Sequence, residues 1–182
     1  MRVISGVAKG IKLKSVPGSG TRPILDRVKT ALFDILRPEI CEKKVLDLFA
    51  GSGSVGIEAL SQGAASCIFL DLSRQAIETI RSNLEATHLV GQAEVRQADA
   101  FSFLRNSKKS FDLIYIAPPQ YKGIWLEALK EISSRPDLLN DNGLAVVQID
   151  PTENDDFACS DLALESERKY GNSLLLFYRK QP

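Results

Sequence analysis

The sequence has few of the residues that metal centres and disulfide scaffolds require. It contains only three cysteines and one histidine among 182 residues. Cys41, Cys67 and Cys159 lie far apart, so no pair has the spacing of a zinc site. We therefore expect no metal and no disulfide framework, a pattern typical of reduced, cytoplasmic proteins. The single histidine, His88, is expected at a helix end or in a loop.

Long hydrophobic runs are also missing. No stretch has the roughly twenty consecutive apolar residues that cross a bilayer, and no signal or transit peptide is recognisable. Apolar residues make up 44% and charged residues 25% of the chain, which is average for globular proteins. We therefore expect one domain, residues 1–182, that does not contact a membrane and whose size suits a monomer.

The net charge is zero, but the charged residues are unevenly distributed along the chain. The first 37 residues carry eight basic and two acidic side chains, so this end has a net charge of +6 and the remainder −6. A basic arm on an acidic body indicates a polyanionic partner such as nucleic acid. The alternative is a charged surface that is simply solvated.

Apolar periodicity divides the chain into a basic extension, residues 1–38, and an alternating core, residues 39–182. The extension predicts a hairpin around Gly6 and Gly10, then a helix over 27–36 capped by Asp26. In the core, the pattern predicts strands over 44–49, 66–71, 93–97, 111–116 and 143–149, and helices over 54–62, 73–86, 99–105 and 122–133. This alternation indicates an α/β fold, a parallel sheet with helices on both faces, which an antiparallel hairpin over 162–178 closes.

A glycine-rich turn follows the first core strand. Gly51, Gly53 and Gly56, with Asp71 twenty residues after Gly51, fit the fingerprint of a dinucleotide site. Asp47 precedes the turn, and a carboxylate at the rim would repel a pyrophosphate but attract an ammonium and a sulfonium. The turn therefore favours S-adenosylmethionine over NAD. An NAD-dependent oxidoreductase and a turn without a ligand remain the alternatives.

Two further carboxylates follow the next two strands. Asp71 is positioned to accept hydrogen bonds from ribose hydroxyls, and Asp99 to accept one from an adenine amino group. Each has a structural alternative as a helix cap, although Ser73 is a second candidate for the cap after Asp71.

Two consecutive prolines, Pro118 and Pro119, follow the fourth strand. They force an extended backbone and leave carbonyl groups without helical partners. Such carbonyls can accept a hydrogen bond from a nucleophilic amine. The alternative is an ordinary strand exit.

Together these features resemble the bacterial 16S ribosomal RNA guanine-N2 methyltransferases over nearly the whole chain. The matching stretches are 2–6, 10–13, 21–23, 26–29 and 31–33 in the extension, 47–53 and 56–59 at the glycine turn, and 167–171 near the end. The resemblance implies a class I methyltransferase with a Rossmann-like sheet of seven strands, the last antiparallel. It also implies S-adenosylmethionine as cofactor, and 16S ribosomal RNA or the small-subunit particle as partner.

The resemblance implies two sets of binding residues. The cofactor set is Asp47, Phe49, Ala50, Gly51, Ser52, Gly53, Asp71, Leu72, Asp99 and Ala100. The set for RNA phosphates is Arg2, Lys9, Lys12, Arg22 and Arg27, together with the other lysines of the extension.

The family has Asp or Asn, then two prolines, then Tyr or Phe, where this chain has Ala117, Pro118, Pro119 and Gln120. Ala117 lacks the side-chain acceptor for the target amine, and Gln120 lacks the aromatic ring that stacks on a flipped base. We expect the Pro118 carbonyl to remain the acceptor, and either Tyr121 or Gln120 to contact the base. The alternatives are an RNA-docking protein with weak or lost activity, and amino-methylation of another base such as DNA adenine.

Overall fold

A computed structural model describes residues 1–18 and 24–182 of the chain. The helices are α1 (Asp26–Leu36), α2 (Ser54–Ser61), α3 (Arg74–Thr87), α4 (Ala100–Asn106) and α5 (Ile124–Ser134). The strands are β1 (Lys44–Asp47), β2 (Ser66–Asp71), β3 (Ala93–Gln97), β4 (Phe111–Ile116), β5 (Leu139–Ile149), β6 (Leu162–Tyr170) and β7 (Ser173–Lys180). The predicted core elements are thus confirmed, with ends that shift by at most four residues.

The strands form one seven-stranded sheet in the order β3-β2-β1-β4-β5-β7-β6. Strands β1 to β5 pair in parallel, and β7 runs antiparallel between β5 and β6. This confirms the predicted sheet with an antiparallel last strand. The strand order reverses between β1 and β4, and such a switch point opens a crevice at the carboxyl ends of the strands.

Helices cover both faces of the sheet, so the central strands are buried on both sides. Val45 packs into the layer that contains α1 and α2, and its neighbour Leu46 packs into the layer that contains α4 and α5. Trp125 of α5 belongs to this second layer and is fully buried in it. Burial on both faces explains why these strands have continuous apolar sequences rather than alternating ones.

The extension differs from its prediction in two details. Its hairpin has only one antiparallel bridge, between Arg2 and Lys12, supported by hydrogen bonds such as Val3 N–H to the Ile11 carbonyl at 2.9 Å. Leu25, not Asp26, occupies the N-cap position of α1, and no side chain caps it. The predicted Asp26 cap was therefore wrong, because Asp26 is the first helical residue.

A buried ion pair fastens the extension to the core. Lys29 Nζ lies 3.3 Å from Glu58 Oε2, and both side chains are completely buried. The Glu58 carboxylate also accepts the backbone N–H groups of Ile4 and Ser5 at 2.8 and 2.9 Å. Burial lowers the pKa of Lys29, an effect that the nearby Glu58 charge opposes. Lys29 therefore supports the fold, and the expectation that every lysine of the extension contacts RNA was wrong.

Candidate active site

A cavity of about 520 Å³ opens at the carboxyl ends of β1, β2 and β4. Nine of the ten predicted cofactor residues line it: Asp47, Phe49, Ala50, Gly51, Ser52, Asp71, Leu72, Asp99 and Ala100. The tenth, Gly53, is buried at the N-cap of α2 instead. The cavity therefore lies at the switch point of the sheet, where open α/β folds bind ligands.

The glycine turn has a backbone that side chains rarely adopt. Gly51 has φ +55° and Gly53 has φ +77°. A Cβ at Gly53 would lie 3.2 Å from Ile80, whereas one at Gly51 would meet nothing within 4 Å. Gly53 is thus needed for packing, and Gly51 leaves its backbone open on the side of the cavity.

Asp47 lies within the cavity wall, not at the rim as the sequence suggested. Its side chain is buried, and Oδ2 accepts the N–H of Gly56 at 3.1 Å. Among the described residues Oδ1 has no hydrogen-bond partner. Burial, with a smaller contribution from the Asp71 charge, raises the pKa of Asp47 to about 7. An unpartnered, buried acceptor of this kind suits an ammonium donor.

Asp71 holds the glycine turn against the end of β2. Its Oδ2 accepts the N–H of Gly51 at 2.9 Å, and its Oδ1 accepts the N–H of Ser73 at 2.8 Å. Ser73 caps α3 through a hydrogen bond from Ala76 N–H at 3.3 Å. Ser73, and not Asp71, is therefore the N-cap of α3. The half-buried Asp71 carboxylate faces the cavity with acceptor capacity left for hydroxyl groups.

Asp99 has the structural role that the sequence offered as an alternative. It is the N-cap of α4, and its Oδ1 accepts the N–H of Ser102 at 2.8 Å. It also lines the cavity, next to Phe101, an apolar wall residue that sequence reasoning missed. The Asp99 carboxylate can cap α4 and also bind a ligand, because its second oxygen, Oδ2, accepts no hydrogen bond in the described part of the chain.

The segment with the two prolines borders the exit side of the cavity. Ala117 and Pro119 line the cavity, whereas Pro118 is buried and Gln120 is exposed, both outside the lining. No N–H of residues 1–18 or 24–182 donates to the Pro118 carbonyl. Within the described residues, the Pro118 carbonyl is therefore available to accept a hydrogen bond from a ligand.

Tyr121 lies between the lining residues Pro119 and Lys122 in sequence but does not itself line the cavity. Its side chain is 67% exposed, and its backbone has φ +63°. Its N–H donates to Glu153 Oε2 at 2.6 Å, which ties this loop to the segment after β5. The next residue, Lys122, does line the cavity and was missed by sequence reasoning.

Two more lining residues were missed, Tyr115 of β4 and Gln148 of β5. The Tyr115 hydroxyl donates a hydrogen bond to Gln148 Oε1. Burial and the Asp47 charge raise the pKa of Tyr115, so its hydroxyl stays protonated. A signal for both existed in the sequence. Tyr115 shares the face of Ala117, two residues away, and Gln148 is the polar residue within the apolar stretch 144–149.

The extension supplies one wall of the cavity through Ser15, Val16 and Ile24. Asn83 of α3 joins this wall to the glycine turn. Its Nδ2 donates to the carbonyls of Lys14 at 3.0 Å and Ser52 at 2.9 Å. The site is therefore built jointly by extension and core.

Four of the five basic residues predicted to contact RNA are described, and they lie outside the cavity lining. Arg2, Lys9, Lys12 and Arg27 are exposed, and Arg2 lies 3.7 Å from Asp26. Arg22 falls outside the described residues. Within residues 1–18 and 24–182, no group of three or more His, Cys, Asp or Glu could hold a metal ion. In the same ranges, no helix has the length and apolarity needed to span a membrane.

Comparison with known proteins gives relatives along the whole chain. A family model described as Conserved hypothetical protein 95 matches residues 1–179. YlbH of Bacillus subtilis, provisionally named an rRNA methyltransferase, is 39% identical to this chain, and the match covers 100% of each of the two chains. Ribosomal RNA small subunit methyltransferase D of Escherichia coli K12 is 36% identical, covering 79% of this chain and 68% of its own.

Solved structures with similar folds include methyltransferases as well. The structure of yhhF from Escherichia coli, provisionally titled a methyltransferase, has a TM-score of 0.89 at 31% identity and covers 100% of this chain and 98% of its own. An RNA methyltransferase from Salinibacter ruber, solved with S-adenosyl-L-homocysteine, has a TM-score of 0.68 at 14% identity, covering 87% of this chain and 94% of its own. The fold is thus that of class I methyltransferases. The chain belongs to the family described as Conserved hypothetical protein 95, as a relative of the ribosomal RNA small subunit methyltransferases D.

Proposed function

We propose that the chain transfers a methyl group from S-adenosylmethionine to the exocyclic N2 amine of a guanine in 16S ribosomal RNA. The observation that carries this proposal is one continuous cavity that joins Asp47, Asp71 and Asp99 to the proline exit. The names of the relatives support the ribosomal RNA substrate. The resemblance of the sequence to guanine-N2 methyltransferases supports the position of the methyl group.

The residues present fit the cofactor. When bound, S-adenosylmethionine supplies an electrophilic methyl group on a sulfonium. Asp47 Oδ1, the buried acceptor without a partner among the described residues, would receive an N–H of its ammonium. Asp71 would receive the ribose hydroxyls, and Asp99 the adenine amino group. Leu72 and Phe101 supply apolar wall for the adenine ring.

The proline exit would hold the target amine. The N2 lone pair of guanine is delocalised into the ring, so the protein must align the amine and favour the charge that develops on it. The Pro118 carbonyl would accept one N–H, since no described N–H competes for it. Tyr121 is exposed, two residues after Pro119, and is the aromatic side chain that would stack on a flipped base.

The extension would bind the RNA backbone. Arg2, Lys9, Lys12 and Arg27 present exposed positive charges, and the sequence prediction adds Arg22, which lies outside the described residues. We propose that the extension (1–38) and the core (39–182) act as one domain, because both build the cavity. We further propose that the protein works as a cytoplasmic monomer on 16S RNA or on small-subunit particles.

A second candidate is a cofactor-binding protein that docks on ribosomal RNA with weak or lost activity. Ala117 and Gln120 favour it, because each lacks a group that the family uses at the target base. The two candidates share the cofactor site and differ only at the proline exit.

Incubation with methyl-labelled S-adenosylmethionine separates them. The proposal expects label on 16S RNA, either naked or in small-subunit particles, and none on double-stranded DNA. Calorimetry on the same protein should detect cofactor binding that Asp71→Ala weakens, with Asp161→Ala, an exposed carboxylate outside the cavity lining, as a matched control. Binding without label on either RNA would favour the docking protein, and no binding would overturn both.

A further inference from the structure

The pair formed by Tyr115 and Gln148 is a polar feature of the cavity that the proposed function has not yet used. Both side chains line the cavity, Tyr115 from β4 and Gln148 from β5. Tyr115 is buried and Gln148 is half-buried, so the amide lies between the protein interior and the open space. A polar group in this position needs a partner when a ligand displaces water.

The strand order separates this pair from the cofactor residues. Asp71 ends β2 and Asp99 follows β3, on one side of β1 in the sheet, whereas Gln148 lies near the end of β5 on the other side. Neighbouring strands are about 4.8 Å apart, so β5 is two strand spacings from β1 and three from β2. Gln148 therefore lies on the exit side, beside the prolines that follow β4.

The Tyr115 hydroxyl fixes the orientation of the amide. Because it donates to Gln148 Oε1, the amide nitrogen Nε2 is the group left to contact a ligand. No residue in 1–18 or 24–182 accepts a hydrogen bond from Nε2. The pair therefore presents an N–H donor to whatever occupies the exit side.

Guanine has an acceptor where this donor lies. If the Pro118 carbonyl accepts the N2 amine, the O6 atom lies at the opposite end of the same base edge. That edge spans about the separation of two adjacent strands, which matches β4 and β5. Adenine and 2,6-diaminopurine carry an amino group at this position and would oppose one donor with another.

We propose that Gln148 is a specificity-determining residue that donates its Nε2 N–H to O6 of the target guanine. Tyr115 is the positioning residue that holds the amide in this orientation. The proposal deepens the proposed function and rests on it, since it concerns the base that enters the same cavity. It also gives the site a base-specific contact that Ala117 does not supply.

The test compares two target bases after the methylated guanine has been mapped with the wild-type protein. Two RNAs are prepared that differ only there, one with guanine and one with 2,6-diaminopurine, which keeps the N2 amine but replaces O6 by an amino group. The wild-type protein should methylate guanine with a kcat/KM about tenfold higher or more. Gln148→Leu should remove this preference, and Gln148→Glu, an acceptor only, should reverse it.

Controls separate specificity from folding and from cofactor binding. Gln92→Leu, an exposed glutamine outside the cavity lining, should keep the wild-type preference. Tyr115→Phe keeps the ring but not the hydroxyl, so it should reduce the preference while cofactor affinity stays within about twofold, less than the loss of one hydrogen bond. Wild-type preference in Gln148→Leu and Gln148→Glu would overturn the proposal, as would a matching loss of cofactor affinity. A wild-type protein that methylates no guanine would instead overturn the proposed function beneath it.

Discussion

The N–H of Gly56 donates to Asp47 Oδ2 at 3.1 Å and ties the first turn of α2 to the end of β1. This bond satisfies one oxygen of a completely buried carboxyl group and leaves Oδ1 without a partner among the described residues. Buried polar atoms are nearly always paired, so such an exception points to a ligand. The central claim about the cofactor depends on this carboxyl group.

Asp47 should destabilise the ligand-free protein at neutral and alkaline pH. Its pKa in the folded state is about 7, against an ordinary value of 3.8, so the unfolded chain binds fewer protons between these values. Its contribution to stability is therefore lost as pH rises through this window, up to about 4 kcal/mol at about 1.4 kcal/mol per pKa unit. Urea unfolding should show that Asp47→Asn gains stability over wild type at pH 8 but not at pH 4. If the difference in unfolding free energy between Asp47→Asn and wild type were the same at pH 4 and pH 8, the raised pKa of Asp47 would be contradicted.

Cofactor affinity should depend on the same titration. A bound ammonium favours the ionised Asp47, so binding releases a proton below pH 7, and affinity should rise by up to tenfold per pH unit until about pH 7. Calorimetry in buffers of different ionisation enthalpy measures the released proton directly. Asp47→Asn should bind more weakly and release no proton through this group. Equal proton release by the two proteins would show that the ammonium binds elsewhere.

The buried pair of Lys29 and Glu58 should be strongly coupled. Removing one partner leaves an uncompensated buried charge, so Lys29→Met should cost about 3–5 kcal/mol in the free energy of unfolding. Glu58→Gln alone should also destabilise, because Lys29 loses its counter-ion. The double variant should lose less than the two single variants together, as measured by urea unfolding. Additive losses would mean that the pair does not act as a unit.

RNA binding should fall steeply with salt if the extension contacts phosphates. Removing one side chain that binds a phosphate should make the slope of log affinity against log salt shallower by about one. Lys9→Ala and Lys12→Ala should each show this change while leaving cofactor affinity unaltered, because both side chains are exposed and outside the cavity. Lys108→Ala, an exposed lysine after α4, is the matched control. Unchanged slopes in Lys9→Ala and Lys12→Ala would remove the extension from the RNA interface.

The sequence predicted the sheet well because its signals are local. Strand β2 ends at Asp71 as predicted, and His88 ends α3 in the left-handed conformation that favours a helix terminus. The glycine spacing and the acidic residues after the strands located the cofactor side of the cavity. These features need no knowledge of which strands are neighbours.

The parts that sequence reasoning missed depend on tertiary contacts. Tyr115 and Gln148 meet only because β4 and β5 are neighbours, although they are 33 positions apart. Lys29 resembles the other charges of the basic extension in sequence, but Glu58 of α2 pairs with it in the interior. Asp26 has a residue type that favours caps, yet the helix begins one position earlier than a cap at Asp26 requires.

The most direct test of the account is to identify the nucleoside that the protein produces. Naked 16S RNA and small-subunit particles, both lacking the modification, are each incubated with the wild-type protein and S-adenosylmethionine, and the digested RNA is analysed by mass spectrometry. The account predicts N2-methylguanosine at one site in at least one of the two substrates, in lower yield when Asp71→Ala replaces the wild-type protein. A methylated adenosine, or no methylated nucleoside from a protein that binds the cofactor, would contradict it.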